Sequence, residues 1–258
     1  MKYELFVMKI KEHIPNFITL LNLLSGCIAI VFIFKNQLPI ASYLIGLAAI
    51  FDFLDGFFAR LLKVQSPIGK DLDSLADMVS FGLVPGLILF KLIEYSSGIS
   101  VNTGFISVVP FLAFLIPLFS ALRLAKFNND KRQTDVFIGL PTPANALLIA
   151  SFPLILIQQS TLVGINLLSI QSLFLSTIFL VVIAILLSYL LIAEIQLLSL
   201  KFKNFTWKDN KIRYIFLGTS CFLLLLFFYL AIPIIIILYI LLSIIQPNQK
   251  SYFVFRKS

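Results

Sequence analysis

Eight long, nearly uncharged runs punctuate this chain, at about residues 16–34, 39–60, 73–93, 105–122, 143–158, 172–193, 213–230 and 232–246. A helix needs about 20 apolar residues to cross a hydrocarbon core of roughly 30 Å, and most of these runs come close. The fifth and eighth are the shortest. Only helices and closed barrels satisfy their backbone hydrogen bonds in lipid, and runs of this length without two-residue alternation are helices. With 60% hydrophobic residues, 12% charged residues and a mean hydropathy of +1.02, the chain is far too apolar for a water-soluble domain. The expectation is an all-α integral membrane protein, a polytopic helical bundle with a six-helix core and a C-terminal two-helix hairpin.

The basic residues orient it. Lys2, Lys9 and Lys11 precede the first run; Arg60, Lys63 and Lys70 lie between the second and third; Arg123, Lys126, Lys131 and Arg132 follow the fourth. Lys201, Lys203, Lys208, Lys211 and Arg213 follow the sixth, and Lys250, Arg256 and Lys257 close the sequence. Of 20 Lys and Arg, 18 thus fall on one side, leaving only Lys35 and Lys91 on the other. This is the positive-inside pattern of eight spans with both ends cytoplasmic, in a multi-pass protein of the cell inner (cytoplasmic) membrane. The net charge of +8 reflects topology and attraction to anionic lipids, not nucleic-acid binding.

Four sections follow: an interfacial amphipathic segment at 1–15, a six-span core at 16–195, a cytoplasmic connection at 196–212 and the hairpin with its tail at 213–258. No small-residue cleavage site follows the first apolar run, so no signal peptide is expected. Cys27 and Cys221 lie in apolar runs without a C-x-x-C pattern and support neither a disulfide framework nor a zinc site. His13, the single histidine, reads as a solvated interfacial residue.

Against this apolar background, Asp52, Asp55, Asp73 and Asp77 stand out. They belong to the pattern D-x2-D-G-x2-A-R-x8-G-x3-D-x3-D, from Asp52 to Asp77, with Gly56, Ala59, Arg60 and Gly69 at its other fixed positions. On helices, Asp52 and Asp55 share one face and Asp73 and Asp77 share another. Each carboxylate would cost roughly 2.5–3.5 kcal/mol at a bilayer centre. A divalent-cation site near the membrane surface is the economical explanation. Hard oxygen donors suit Mg²⁺ or Mn²⁺, and two carboxylate pairs on facing helices could hold two ions about 3.5–4 Å apart. Gly56 would let a phosphate approach, Ala59 keeps the face low, and the planar fork of Arg60 could clamp a phosphate. Ser66-Pro67 breaks the helix and Gly69 permits the turn into the third run. Asp71, off the Asp73 face, reads as a solvated loop carboxylate.

That pattern, with every fixed position and spacing filled, is similar to the signature of the CDP-alcohol phosphotransferases. These membrane enzymes cleave a CDP-linked lipid or alcohol and release CMP. Within the family the chain resembles the bacterial phosphatidylserine synthase branch. The matching segments are Ile14-Pro15-Asn16-Phe17-Ile18-Thr19 through Gly26, Asp73 to Gly82, Arg123 to Asn128, and Gly139 to Ala144, covering about residues 14–150.

The resemblance implies roles. Asp52, Asp55 and Asp73 would ligate metal, Asp52 and Asp73 bridging two ions, and Asp77 would be both a ligand to the second ion and the general base. Gly56, Ala59 and Arg60 would receive the CDP moiety, Ser66 would bond a phosphate, and Asn16 and Thr19 would border the nucleotide pocket. The implied substrates are CDP-diacylglycerol and L-serine, with surrounding membrane lipids, and a homodimer is expected. Serine carries a carboxylate and an ammonium; Arg123 or Lys126 could meet the first, and Ser80 or Asn128 the second. Asn145 is placed near the cavity or away from it with equal weight, and Pro141 and Pro143 open the fifth span. A different acceptor, such as glycerol 3-phosphate or inositol phosphate, would keep the same chemistry. A divalent-cation transporter is the reading outside the enzyme class, but carriers place ligands at mid-bilayer on broken helices of paired repeats, which this chain lacks.

Overall fold

The computed structural model describes residues 2–64, 66–98, 108–129, 137–159, 167–197 and 206–245, with side chains from residue 13 onward except at 67, 137, 208, 209 and 245. The basic residues Lys131, Arg132, Lys201, Lys203, Lys250, Arg256 and Lys257 lie outside the described residues.

The protein is an all-α polytopic membrane protein. Helix α1 spans Lys2–Phe34 and α2 spans Leu38–Leu62. Helix α3 (Pro67–Asp77) continues through a π segment (Met78–Leu83) into α4 (Val84–Ser97). A 3₁₀ turn (Val109–Phe114) leads into α5 (Leu115–Asn129), followed by α6 (Thr142–Ile157), α7 (Leu167–Phe174) and α8 (Thr177–Ile192). Helices α9 (Trp207–Phe227) and α10 (Ala231–Ile245) end the described chain. One two-residue antiparallel ladder, β1 (Phe137–Ile138) with β2 (Gln196–Leu197), ties the α5–α6 connection to the α8–α9 connection.

By length and composition, five helical stretches can cross a membrane, or six if α7 and α8, bent 65° at their junction, form one span. The sequence led to an expectation of eight, and the difference has physical causes. Helix α6, with 16 residues, is about 24 Å long and falls short of a full hydrocarbon crossing. The last two runs join into one helical stretch, Asn210–Ile244. Yet the rings of Phe216 and Tyr239 lie 5.8 Å apart, where a straight helix would separate them by about 34 Å. The chain therefore doubles back, and the reversal sits at Phe228, whose φ of 53° is unusual for a bulky side chain. Gln158 Nε2 donates to the Phe227 carbonyl and the hydroxyls of Tyr43 and Tyr229 pair at 2.7 Å, fixing the tip of this hairpin to α6 and α2.

The outside is apolar, as lipid demands: Phe34, Phe53, Ile178 and Leu225 are all mostly exposed. Inside, Ile88, Leu89, Ile149 and Phe152 are fully buried. The stretch Ile68–Ser97 is the most buried of the crossing segments and runs through the centre. Its π segment precedes Pro85, which cannot donate to the carbonyl one turn back and crowds it; a wider turn accommodates the ring. Two expectations change here. Residues 2–15 are helical and continuous with the first span, with Pro15 inside α1. The helix after Ser66 begins at Pro67, so Gly69 and Asp71 lie on α3, not in a loop or turn.

Candidate active site

Three amphiphilic segments, α1, α2 and α3, meet at one end of the bundle. On α1, Asn16, Thr19 and Asn22 recur every third residue and so share a face. Thr19 Oγ1 donates to Asp55 Oδ2 at 2.6 Å and also contacts the Pro15 carbonyl at 3.1 Å. Asn22 Nδ2 donates to Asp77 Oδ1 at 3.3 Å. One polar stripe of α1 therefore holds a carboxylate from α2 and another from α3.

Close packing depends on a missing side chain at two places. A Cβ at Gly69 would lie 2.8 Å from Asn16 Oδ1, so glycine lets α3 approach α1. A Cβ at Gly26 would lie 2.5 Å from Ser80 Oγ, which instead donates to the Asn22 carbonyl at 3.0 Å. The fully buried Ser80 thus anchors the π segment against α1.

The carboxylates of Asp52, Asp55 and Asp73 offer oxygens that all lie within 4.8 Å of one another. Asp55 is buried, while Asp52 and Asp73 are half-buried. Asp77 is also buried, 8% exposed, and interacts electrostatically with all three. Among the described residues none of the four has a salt-bridge partner; Lys91–Glu94 is the ion pair found there. Clustered, unpaired carboxylates repel one another, and only oxygen donors are present, so the set fits a hard divalent cation such as Mg²⁺ or Mn²⁺.

Beside them opens a cavity of about 630 Å³, lined by Asn16, Thr19, Asp55, Gly56, Ala59, Ser66, Lys70 and Asp73 among others. Several residues singled out in the sequence line it together. Arg60, in the last turn of α2, is exposed, with Nη1 3.7 Å from where a Cβ of Gly56 would stand. Ser66 Oγ accepts from the Gly69 N–H at 3.3 Å, which makes it the N-cap of α3. Asp71 is exposed on the outer face of α3.

The residues expected after the fourth span are instead within helix α5. Arg123 is 7% exposed, with Asp77 and Tyr239 as electrostatic neighbours. Lys126 is exposed. Asn128 Nδ2 donates to Ser74 Oγ at 2.7 Å, and its carbonyl accepts from Lys70 Nζ at 3.0 Å, so it braces α5 against α3. Asn145 is fully buried in the first turns of α6, with neither amide atom partnered. Sequence reasoning gave Asn22 no role and used Lys70 only as a topology marker. The three-residue spacing of Asn16, Thr19 and Asn22 was the signal for the first.

A family model described as CDP-alcohol phosphatidyltransferase matches residues 12–175, which carry the whole acidic cluster and its cavity. The chain belongs to that family. Curated relatives named CDP-diacylglycerol–serine O-phosphatidyltransferase include one from Methanocaldococcus jannaschii, 39% identical over 139 residues (54% of this chain, 59% of the relative). One from Helicobacter pylori (strain J99) is 37% identical over 137 residues, 52% of this chain and 54% of the relative. One from Bacillus subtilis (strain 168) is 33% identical over 147 residues, 55% of this chain and 76% of the relative. The chain spans about half the length of most of the curated relatives it matches.

Proposed function

We propose that this protein transfers the phosphatidyl group of CDP-diacylglycerol to the hydroxyl of L-serine, giving phosphatidylserine and CMP. The observation that carries the reading is the convergence of Asp52, Asp55 and Asp73 beside a cavity lined by Gly56 and Ala59, within the region matched by the family. The relatives' printed name supplies the serine acceptor.

Asp52, Asp55, Asp73 and Asp77 would hold two divalent cations, Mg²⁺ or Mn²⁺. Bound there, such ions would neutralise charge on the pyrophosphate of the donor. The CDP moiety enters the cavity beside Asn16, Thr19, Gly56, Ala59 and Ser66, with Arg60 at its rim. Thr19 holds Asp55 in place, and Asn22 occupies one oxygen of Asp77. The other oxygen of Asp77 is left to take the proton of the acceptor hydroxyl. A serine hydroxyl is a poor nucleophile at neutral pH and needs such a base. As the proton leaves, the serine oxygen bonds to the β-phosphorus while the bond from that phosphorus to the CMP oxygen breaks. This is one displacement, without a covalent phosphatidyl-enzyme. Arg123, buried near Asp77, is suited to the serine carboxylate. The site faces the cytoplasm in the inner membrane, and the protein acts as a homodimer.

The test is an acceptor panel. Purified protein receives CDP-diacylglycerol, Mg²⁺ or Mn²⁺, and labelled L-serine, glycerol 3-phosphate or inositol phosphate. CMP release coupled to phosphatidylserine formation is expected with serine alone. Robust transfer to glycerol 3-phosphate with none to serine would move the protein to another branch of the family.

A further inference from the structure

Lys70 is the only cation among the described residues that line the cavity beside the acidic cluster. It stands three residues before Asp73, and on a helix surface oppositely charged residues at that spacing are neighbours that commonly pair. Here they do not: no carboxylate among the described residues lies within 4.0 Å of Lys70 Nζ. Its ammonium turns to α5 instead and donates to the Asn128 carbonyl at 3.0 Å. That contact closes a ring of three hydrogen bonds. Asn128 Nδ2 donates to Ser74 Oγ at 2.7 Å, and Ser74 Oγ donates to the Lys70 carbonyl at 3.2 Å. A lysine ammonium has three donors, and the ring uses one. The other two are left for a ligand in a cavity whose remaining charged lining residues are Asp55 and Asp73.

The order of groups along α3 indicates which part of a ligand Lys70 meets. Lys70, Asp73 and Asp77 stand at i, i+3 and i+7 and so share one face, with Asp73 about 4.5 Å and Asp77 about 10 Å along the axis from Lys70. Exposure falls in the same order: Lys70 is exposed, Asp73 half-buried and Asp77 buried. An in-line displacement sets leaving group, phosphorus and nucleophile in one row. With the base at Asp77 and the metal-binding carboxylates around Asp73, the leaving group falls at the Lys70 end, nearest to water. That leaving group is CMP, and its charged part is a phosphate.

We propose that Lys70 binds the phosphate of the CMP half of the donor and stabilises it as it departs. The proposal rests on the donor half of the reading above, CDP-diacylglycerol, and not on the identity of the acceptor. As the acceptor's hydroxyl oxygen bonds to the β-phosphorus, the bond from that phosphorus to the bridging oxygen breaks, and the bridging oxygen keeps the electron pair. The CMP phosphate, singly charged within the donor, thereby departs with a second negative charge. Lys70 donates hydrogen bonds to it and keeps its own proton. Such charge-assisted bonds strengthen as the phosphate gains charge, which favours the transition state over the bound donor. Before the donor arrives, the Asn128 carbonyl holds the ammonium off Asp73 and leaves that carboxylate available.

The experiment uses the full chain and compares wild type with Lys70→Met, which keeps most of the stem, and Lys70→Arg, which keeps the charge. Inhibition by CMP and by cytidine is measured, with kcat and the KM of each substrate. In Lys70→Met the inhibition constant of CMP should rise about tenfold and kcat/KM for CDP-diacylglycerol should fall at least about tenfold, with the acceptor KM within about twofold. Inhibition by cytidine, which has no phosphate, should not change. CMP inhibition should also lose part of its salt dependence, because one exposed cation fewer meets the phosphate. Lys70→Arg should recover most of the CMP affinity. CMP inhibition within about twofold of wild type in Lys70→Met overturns the proposal. So does an equal weakening of CMP and cytidine, the sign of a lysine that only braces α5 against α3. A raised acceptor KM with CMP inhibition unchanged overturns it too, by putting the cation on the acceptor. Wild type that releases no CMP from CDP-diacylglycerol with any acceptor refutes the donor reading and the proposal together. Normal release by wild type with an unaffected Lys70→Met refutes the proposal alone.

Discussion

Near Asn36, Lys91 and Glu94 meet at 2.8 Å beside a cavity of about 890 Å³; near Asn16, roughly 30 Å away along α1, Asp52, Asp55 and Asp73 converge on one of about 630 Å³ with no cation of the protein paired to them. The larger cavity is lined mainly by apolar residues such as Leu92, Pro153 and Leu156, and its charges neutralise each other. The smaller one is lined by polar groups that hold their carboxylates still without neutralising them. Thr19 and Asn22 donate single hydrogen bonds, and Lys70, which lines the cavity, is directed instead to the Asn128 carbonyl. Size therefore says little about which cavity works. What separates them is whether the charge is already compensated, because uncompensated carboxylates in an apolar helix bundle persist only where a ligand compensates them.

The strongest way to break this contrast is to remove a carboxylate from the cluster. Asp52→Asn and Asp73→Asn should each lower turnover by at least about a thousandfold, since both metal affinity and charge neutralisation at the pyrophosphate go together. Mn²⁺ binding, followed by electron paramagnetic resonance, should lose at least one site. Asp71→Asn, on the exposed side of the same helix, is the control and should stay near wild type. Nearly normal activity in Asp52→Asn, or equal losses at positions 71 and 73, would refute the cluster as a metal site.

A smaller loss should follow at Asp77, which lies beside the cluster and not in its tightest triad. As the base it contributes about 10²–10⁴ to the rate, so Asp77→Asn should lose kcat in that range while still binding CDP-diacylglycerol and Mn²⁺. Stereochemistry at a chiral β-phosphorus should invert, as one displacement requires. Retention would mean two displacements and a covalent intermediate.

How much of this was readable in the chain differs between its parts. The spacing from Asp52 to Asp77 is a local, covalent fact, and i, i+3 and i, i+4 geometry turns it into two faces without any tertiary knowledge. The helical bundle was legible for the same reason: lipid leaves the backbone few alternatives. Partners across helices were not. Asn22 could be seen to share a face with Thr19, but nothing in its neighbours says that the face meets Asp77. Ser66 illustrates a different ambiguity, because a hydroxyl before proline can cap a helix as readily as bind a phosphate, and here it caps. Arg123 reads both as a topology marker after a span and as a candidate partner of the serine carboxylate, and its burial could not be foreseen, because the helix continues past the expected span end. The lengths of the last two apolar runs predict a two-helix hairpin, but the turn residue could not be picked out, since no glycine, asparagine or polar cluster marks Phe228; contacts of Tyr229 and Phe227 with α2 and α6 hold it.

The smallest effect is expected at the opposite end. Lys91 and Glu94 are separated by three residues on α4 and are 29% and 17% exposed, so they form a local, partly hydrated pair. Such pairs contribute up to about 1 kcal/mol, screened by salt. Glu94→Gln removes one partner and leaves Lys91 charged but still near water, which should lower the melting temperature by a few degrees at most, about what 1 kcal/mol yields in a chain of this size. Lys91→Gln with Glu94→Gln should recover part of that loss, because no lone charge remains. Turnover should stay within about twofold in both variants, since nothing connects this pair to the acidic cluster except rigid helix. A tenfold fall in serine transfer, with the melting temperature unchanged, would show that the larger cavity takes part in the reaction and that a compensated charge is no sign of an idle site.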